Sequence, residues 1–166
     1  MDLKQAKTRL MAECSRRELS EKQAFAKLEK WAGEEVSKKD LEKIIEELKR
    51  EKYIDDVRFA ECFVRDKMRF SGWGPVKIMM KLKEAGVKRE VGEEAIWSEN
   101  DLIESKLKSL IAAKKKEIER KFSKKEGEDE STLKLKKKAS LYGFAQQRGF
   151  TYGMIQKIEK ELKYEE

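Results

Sequence analysis

Residues 53–87 contain a helix, a tight turn and a second helix, and this segment constrains the fold more than any other part of the chain. Asp55 or Asp56 can accept hydrogen bonds from the free N–H groups that begin the first helix. The turn consists of Gly72, Trp73, Gly74 and Pro75. Pro75 sets the φ angle of the next helix, and Gly86 can adopt the left-handed conformation that ends it. We therefore expect two helices that meet at a defined corner.

The first of these helices, predicted over 56–70, has an aromatic face and a basic face. At about 100° per residue, three phenylalanines fall within a narrow arc and three arginines gather on another face. The two sets are Phe59, Phe63 and Phe70, and Arg58, Arg65 and Arg69. We expect the phenylalanines in the core. On the second helix Lys77 and Lys81 flank an apolar stripe of Ile78, Leu82 and Ala85, so the arginines and lysines could form one surface.

The whole chain favours an all-α fold. It has a single proline and few β-branched runs, and its 44% charged residues suit helices with long solvated faces. We predict nine helices, at 2–14, 21–32, 38–51, 56–70, 75–85, 89–97, 101–122, 132–147 and 152–163. Caps support three of these starts, because Ser20 with Gln23 and Ser37 with Asp40 have capping-box spacing and Thr151 precedes the last helix. Core stripes are predicted at Leu41, Ile44, Ile45 and Leu48, and at Met154, Ile155, Ile158 and Leu162.

Glycine stops recur along the chain. An Ala-Gly or Arg-Gly pair ends a predicted helix at Gly33, Gly86 and Gly149, which indicates an imperfect repeat. We predict three units of three helices at 1–54, 55–99 and 100–166. Units of this kind touch mainly their neighbours, so we expect an extended array rather than one sphere.

The long helix predicted at 101–122 changes character halfway. Its apolar stripe of Ile103, Leu107, Leu110 and Ile111 should continue at position 114, where Lys114 stands. We predict that the second half leaves the core as a basic arm over 114–131, ending in a solvated linker at 124–131. The basic residues of this arm are Lys114, Lys115, Lys116, Arg120, Lys121, Lys124 and Lys125.

Positive charge is concentrated in two stretches. Residues 57–90 carry 9 basic and 4 acidic side chains, and residues 104–166 carry 17 and 11. Such surfaces attract polyanions by counterion release, and nucleic acid is the polyanion we expect. The alternative for each basic run is a solvated helix face. For Trp73, we favour a packing anchor of the corner over a base-stacking platform.

No part of the sequence resembles a catalytic centre. It contains no histidine, and neither a phosphate-binding loop nor a nucleophile elbow is present. The Asp55–Asp56 pair could hold a metal ion, but a helix cap explains it better. Cys14 and Cys62 do not have metal-ligand spacing and are interpreted as core or boundary residues. The sequence has no apolar run of membrane length and no secretion signal, so we expect a cytoplasmic protein. We also expect no cofactor.

The segment 53–87 resembles the RecX family, bacterial regulators of the RecA recombinase. The matching residues are YIDDVRFA at 53–60, Phe63, Val64, GWGP at 72–75, Ile78, Leu82 and AGV at 85–87. RRELSEKQAFAKL at 16–28 resembles the first repeat of that family, and LYGFAQQRGFTYGMI at 141–155 resembles its last repeat. The similarity is therefore spread over most of the chain.

The resemblance implies an elongated, curved array of three-helix repeats that lies along a RecA–DNA filament and bridges neighbouring subunits. Such a protein would slow strand exchange and ATP turnover in DNA repair, recombination and the SOS response, acting as a monomer. Two alternatives stay open. One is a free-standing DNA-binding module whose helix at 75–85 enters a groove with little sequence specificity. The other is a helical protein–protein scaffold.

Overall fold

The computed structural model describes residues 1–122 and 127–165, which form nine α-helices and no β-strand within those ranges. The helices are α1 (Leu3–Arg16), α2 (Glu21–Ala32), α3 (Lys38–Arg50), α4 (Asp56–Asp66), α5 (Pro75–Glu84), α6 (Arg89–Ser98), α7 (Asn100–Lys121), α8 (Glu130–Gln147) and α9 (Tyr152–Glu165). A π-helical turn, Lys67–Ser71, follows α4 directly. The all-α prediction is confirmed. None of the described helices has the length and apolar character needed to cross a membrane.

The helix caps follow the chemistry expected from the sequence. Ser20 and Gln23 form both halves of a capping box, whereas Ser37 only accepts the backbone N–H of Asp40. The Thr151 hydroxyl accepts from Met154 N–H at 3.2 Å. These side chains satisfy N–H groups that a helix start leaves without intrahelical partners.

Asp55 and Asp56 cap two different helices. The Asp55 carboxylate accepts from the N–H groups of Val57 and Arg58, at 3.0 and 3.1 Å, and so caps α4. The Asp56 carboxylate instead accepts from Glu21 N–H at 2.8 Å, at the start of α2. Burial of Asp56 raises the pKa of its carboxyl, although this hydrogen bond opposes the shift.

The prediction that Phe70 lies in the core is wrong. Phe59 is buried and stacks on half-buried Phe63 with ring centroids 5.8 Å apart, but Phe70 is 84% exposed. The predicted helix 56–70 ends at Asp66, and the π-helical turn holds more residues per turn than an α-helix. Met68 is therefore buried, whereas Phe70 is turned to solvent.

The described residues group into two compact units. Unit 1 comprises Met1–Val64 and Met79–Ile96, and unit 2 comprises Arg65–Ile78 and Trp97–Glu166. In unit 1, α2 packs against α1 and α3 over a core that includes Leu10, Leu28 and Leu48. In unit 2, α7, α8 and α9 pack against one another, with Ile111 and Ile155 buried. The three-repeat boundaries at 54 and 99 stay a prediction.

The predicted departure of α7 from the core is also wrong. Ile118 is 3% exposed, and Lys114 is half-buried with its Nζ 5.0 Å from the centroid of the Phe144 ring. The aliphatic stem of a lysine can cover apolar surface while its ammonium group stays near water, so Lys114 does not end the buried stripe. The helix continues to Lys121 in contact with α8 and α9.

The predicted linker at 124–131 is too long at its end. Asp129 caps α8 by accepting from Thr132 N–H at 2.7 Å, so Glu130 and Ser131 belong to the helix. Residues 124–126, including Lys124 and Lys125, lie outside the described residues.

Candidate nucleic-acid interface

The Gly-Trp-Gly-Pro corner of unit 2 contacts the turn between α8 and α9. Gly72 adopts the left-handed conformation at φ 63°, as a C-terminal cap requires. The N–H of Gly74 donates to the carbonyl of Arg148 at 2.6 Å, and Val76 N–H donates to the carbonyl of Gly149 at 2.9 Å. Two hydrogen bonds therefore fix this corner to a turn that is far away in sequence.

Both turns need glycine where they meet. A Cβ on Gly74 would lie 2.5 Å from the carbonyl carbon of Gly149. Gly149 has φ +99°, and a Cβ there would lie 2.5 Å from the Cβ of Lys77. Gly149 needs glycine for its left-handed φ as well as for this contact, whereas Gly74 has no left-handed φ and needs glycine only because the two backbones touch. Pro75 begins α5, as predicted.

Trp73 lies between two lysines. The Nζ of Lys67 is 4.7 Å from the centroid of its ring, and the Nζ of Lys77 is 4.4 Å from it. Both distances fit cation–π contacts. Trp73 is neither fully buried nor exposed, so it packs the corner while its ring holds two positive charges.

Two further cations hold the carbonyl groups of the π-helical turn. Arg148 Nη1 donates to the carbonyl of Ser71 at 3.1 Å, and Lys106 Nζ donates to the carbonyl of Arg69 at 3.5 Å. The Arg148 guanidinium also lies 4.8 Å from the ring centroid of Phe144. Because carbonyls and aromatic rings carry no net charge, these contacts leave the positive charge of Lys77, Lys106 and Arg148 uncancelled. We call Arg69, Trp73, Lys77, Lys106 and Arg148 the corner cluster.

Five of the predicted contact residues are held by carboxylates instead. The pairs, with their N···O distances, are Arg58–Glu18 at 2.7 Å, Arg65–Glu99 at 3.2 Å, Lys81–Glu84 at 3.2 Å, Lys114–Glu117 at 3.0 Å and Lys115–Glu159 at 3.8 Å. Glu18 raises the pKa of Arg58 by its hydrogen bond, and Lys114 lowers the pKa of Glu117 in the same way. Arg58 also donates to the carbonyls of Lys52 and Tyr53. Arg58 is therefore a structural residue of unit 1.

None of the other five predicted contact residues forms an ion pair with a carboxylate within the described ranges, although Arg120 and Lys121 lie near enough to Glu117 to help lower its pKa. The five residues are Arg69, Lys77, Lys116, Arg120 and Lys121, and all five belong to unit 2. Arg69 and Lys77 are part of the corner cluster, whereas the other three lie on the second half of α7. Each keeps a charge that a polyanion could neutralise.

A basic groove runs between α7, α8 and α9 in unit 2. Its volume is about 1140 Å³, and apolar side chains such as Ile118 and Leu141 line part of it. Seven cations line the groove: Lys115, Lys116, Arg120, Lys134, Lys137, Lys138 and Lys163. Only two carboxylates accompany them, those of Glu119 and Glu159. We call this the α7–α9 groove.

Several of these functional candidates were missed in the sequence. The Lys-Lys-Lys run at 136–138 was visible there, but its placement opposite α7 depends on how α8 packs. Lys106 and Arg148 gave no signal, because neither belongs to a charge run. Arg148 joins the corner cluster through the contact between two distant turns, and Lys106 joins it through its hydrogen bond from α7 to the π-helical turn.

The fold and these surfaces define an all-α helical protein whose second unit carries a surplus of positive charge. A family model described as the second three-helix domain of RecX matches residues 55–96. Proteins named regulatory protein RecX are similar over more of the chain. That of Oceanobacillus iheyensis is 30% identical over 86% of this chain and 48% of its own length. The Clostridium botulinum protein is 34% identical over 86% of this chain and 61% of its own length. The Legionella pneumophila protein is 28% identical over 76% of this chain and 76% of its own length.

The same family contains the solved structures that this fold matches. The crystal structure of RecX from Lactobacillus salivarius superposes with a TM-score of 0.78 at 22% identity, over 98% of this chain and 97% of that one. A second RecX crystal structure gives a TM-score of 0.76. The chain belongs to the RecX family. It spans about half the length of the Oceanobacillus relative.

Proposed function

We propose that this chain binds a RecA–DNA nucleoprotein filament and lowers its recombinase and ATP-hydrolysis activities. Its relatives are named regulatory proteins, which supports a regulatory role for this chain. The observation that carries the proposal furthest is the set of cations in unit 2 that lack carboxylate partners among the described residues. A filament that contains DNA presents phosphates to such a surface.

The corner cluster and the α7–α9 groove offer two points of contact. In the corner cluster, a ring or carbonyls hold Lys77, Lys106 and Arg148 in place without neutralising them. A cation that is already held loses less conformational entropy on binding than a free one, which favours the corner cluster. In the groove, seven cations accompany only two carboxylates, so the groove offers more positive charge to a large anionic partner.

The test is RecA-dependent ATP hydrolysis on single-stranded DNA, with and without this protein. We expect wild type to slow hydrolysis and the double variant Lys116→Gln/Arg120→Gln to act only at higher protein concentration. Both residues are exposed, so helicity should not change. The matched control is Lys38→Gln/Lys43→Gln, which removes two exposed charges from α3 of unit 1.

If wild type leaves ATP hydrolysis and strand exchange unchanged at saturating concentration, the proposal fails. If the groove variant and the α3 control act alike, regulation does not depend on the α7–α9 groove.

A sequence-independent DNA-binding module is the second candidate, and the same uncancelled charge supports it. The exposed side chains near the start of α5 include Val76 and Met80, which cannot read base edges by hydrogen bonding. This module would therefore bind naked DNA without sequence preference. Tight binding to DNA together with no effect on RecA would favour it over the filament regulator.

A further inference from the structure

Phe70 is the most exposed large apolar side chain in the described part of unit 2. It is 84% exposed, next to Ser71 at the end of the π-helical turn. π-helical turns inside or beside α-helices frequently occur at functional sites. The exposed ring forgoes the free energy that burial would give, so it is available to contact a partner.

The residues on either side of Phe70 in the chain are held by cations. The carbonyl of Arg69, just before it, accepts from Lys106, and the carbonyl of Ser71, just after it, accepts from Arg148. Arg69 itself is exposed and has no carboxylate partner in the described ranges. Three residues further on, Trp73 holds Lys67 and Lys77 against its ring. The exposed aromatic ring therefore belongs to a residue whose two neighbours in the chain are held by cations of the corner cluster.

We propose that Phe70 stacks on a base of single-stranded nucleic acid whose phosphates bind the cations of the corner cluster. The occupant must offer both a flat π-face and negative charge, and a single strand offers the two at every nucleotide. A duplex keeps its base faces stacked inside, so it could meet the cations but not the ring. An apolar protein surface would not favour a single ring among uncancelled cations.

This inference deepens the proposed function, because it names the nucleic-acid strand that the corner cluster would meet. Stacking on an aromatic side chain is tolerant of sequence. The corner cluster would therefore distinguish single strands from duplexes without reading bases. A base of the strand would have to be unstacked from its neighbours to reach Phe70.

The experiment measures binding of the full chain to a fluorescently labelled oligothymidylate by anisotropy, over a salt series. We expect Phe70→Ala to weaken binding about tenfold, with an unchanged salt slope because the phosphate contacts remain. Phe70→Tyr should bind like wild type, and Phe70→Leu should bind like Phe70→Ala. Trp97→Ala is the matched control, because Trp97 is a 75% exposed aromatic residue of unit 2 outside the corner cluster.

Four results would overturn the inference. Wild type would not bind the oligomer, Phe70→Ala would bind as tightly as wild type, Phe70→Leu would keep full affinity, or Phe70→Ala would lose equal affinity for single-stranded and duplex DNA. The same variants in the RecA assay separate the two proposals. If wild type slows RecA without binding the oligomer, the stacking proposal fails and the regulatory proposal stands. If binding depends on Phe70 but RecA is unaffected, the regulatory proposal fails and the stacking proposal stands.

Discussion

The two units of the molecule use charged residues in different ways. Unit 1 contains 19 basic and 19 acidic residues, whereas unit 2 contains 21 basic and 14 acidic residues. The whole net charge of +7 therefore belongs to unit 2. Both units have nearly the same number of cations, so the difference lies in the acidic residues that accompany them.

Ion pairs in unit 1 are consistent with its net charge of zero. Lys7, Lys27 and Lys49 each approach a glutamate, at N···O distances of 2.7, 3.0 and 3.2 Å. Unit 2 also has ion pairs, but several of its cations rest on rings or carbonyls, as Lys77 and Arg148 do. Several cations of unit 1 are thus paired with carboxylates inside a neutral unit, whereas unit 2 carries a surplus of positive charge.

The largest effect should follow from placing a side chain where the two turns of unit 2 touch. Gly74→Ala would bring a Cβ to within 2.5 Å of the backbone of Gly149, where no flexible side chain can yield. We expect a loss of about 3 kcal/mol in the free energy of unfolding, because overpacking at a tight contact costs roughly this much. Thermal and urea unfolding followed by circular dichroism would measure it.

Gly33→Ala in unit 1 is the comparison for this variant. Unlike Gly74, Gly33 has a left-handed φ, of 82°, and a Cβ there would meet nothing within 4 Å. We expect Gly33→Ala to lose about 1.5 kcal/mol from backbone strain alone, because φ 82° with ψ 176° is a conformation that essentially only glycine adopts. Equal losses at the two glycines would mean that crowding of a Cβ on Gly74 against Gly149 costs no more than this strain.

The second largest effect should appear at Arg58 and be confined to stability. Arg58→Ala leaves the Glu18 carboxylate without its 2.7 Å partner, and the other oxygen of Glu18 is already buried without a hydrogen bond. We expect a loss of about 1.5 kcal/mol, the lower part of the range for charged hydrogen bonds, because solvent screens the half-exposed pair. Chemical unfolding would measure this loss, and anisotropy should show unchanged affinity for single-stranded DNA.

Arg89→Ala is the control for Arg58→Ala, because it also removes an arginine from unit 1. Arg89 pairs with Glu93 on the exposed face of α6, so removing it should change stability little. A drop in DNA affinity for Arg58→Ala, but not for Arg89→Ala, would contradict the structural role of Arg58.

The helices could be predicted from the sequence because their signals are local. Caps such as Ser20 and Thr151 and stops such as Gly86 act within a few residues, and the nine predicted helices correspond to α1 through α9. Two of the three errors arose where the observed structure overrides the local pattern. A π-helical turn changed the phase at Phe70, and the stem of Lys114 replaced an apolar residue in a buried stripe.

The site could be predicted only in part, for a related reason. The sequence identified Arg69 and Lys77, but a helical wheel cannot tell which cations find a carboxylate across a fold. Glu18 lies 40 positions before Arg58, and Arg148 lies 77 positions after the carbonyl that it binds. Such pairings depend on how helices that are distant in sequence pack.

The smallest expected effect gives the sharpest comparison, because it uses two lysines on one helix. Lys77 belongs to unit 2 and contacts Trp73, whereas Lys81, one turn later, belongs to unit 1 and pairs with Glu84. Lys77→Gln should reduce the slope of log affinity for single-stranded DNA against log salt by about 0.7, the value for one lost phosphate contact on a single strand. Lys81→Gln removes the same charge from the same helix and should leave the slope unchanged, because Glu84 already neutralises Lys81. Anisotropy over a salt series measures both variants, with helicity checked in parallel. Equal slopes for the two variants would show that a carboxylate partner does not decide which cations bind, and the contrast between the units would then have no bearing on function.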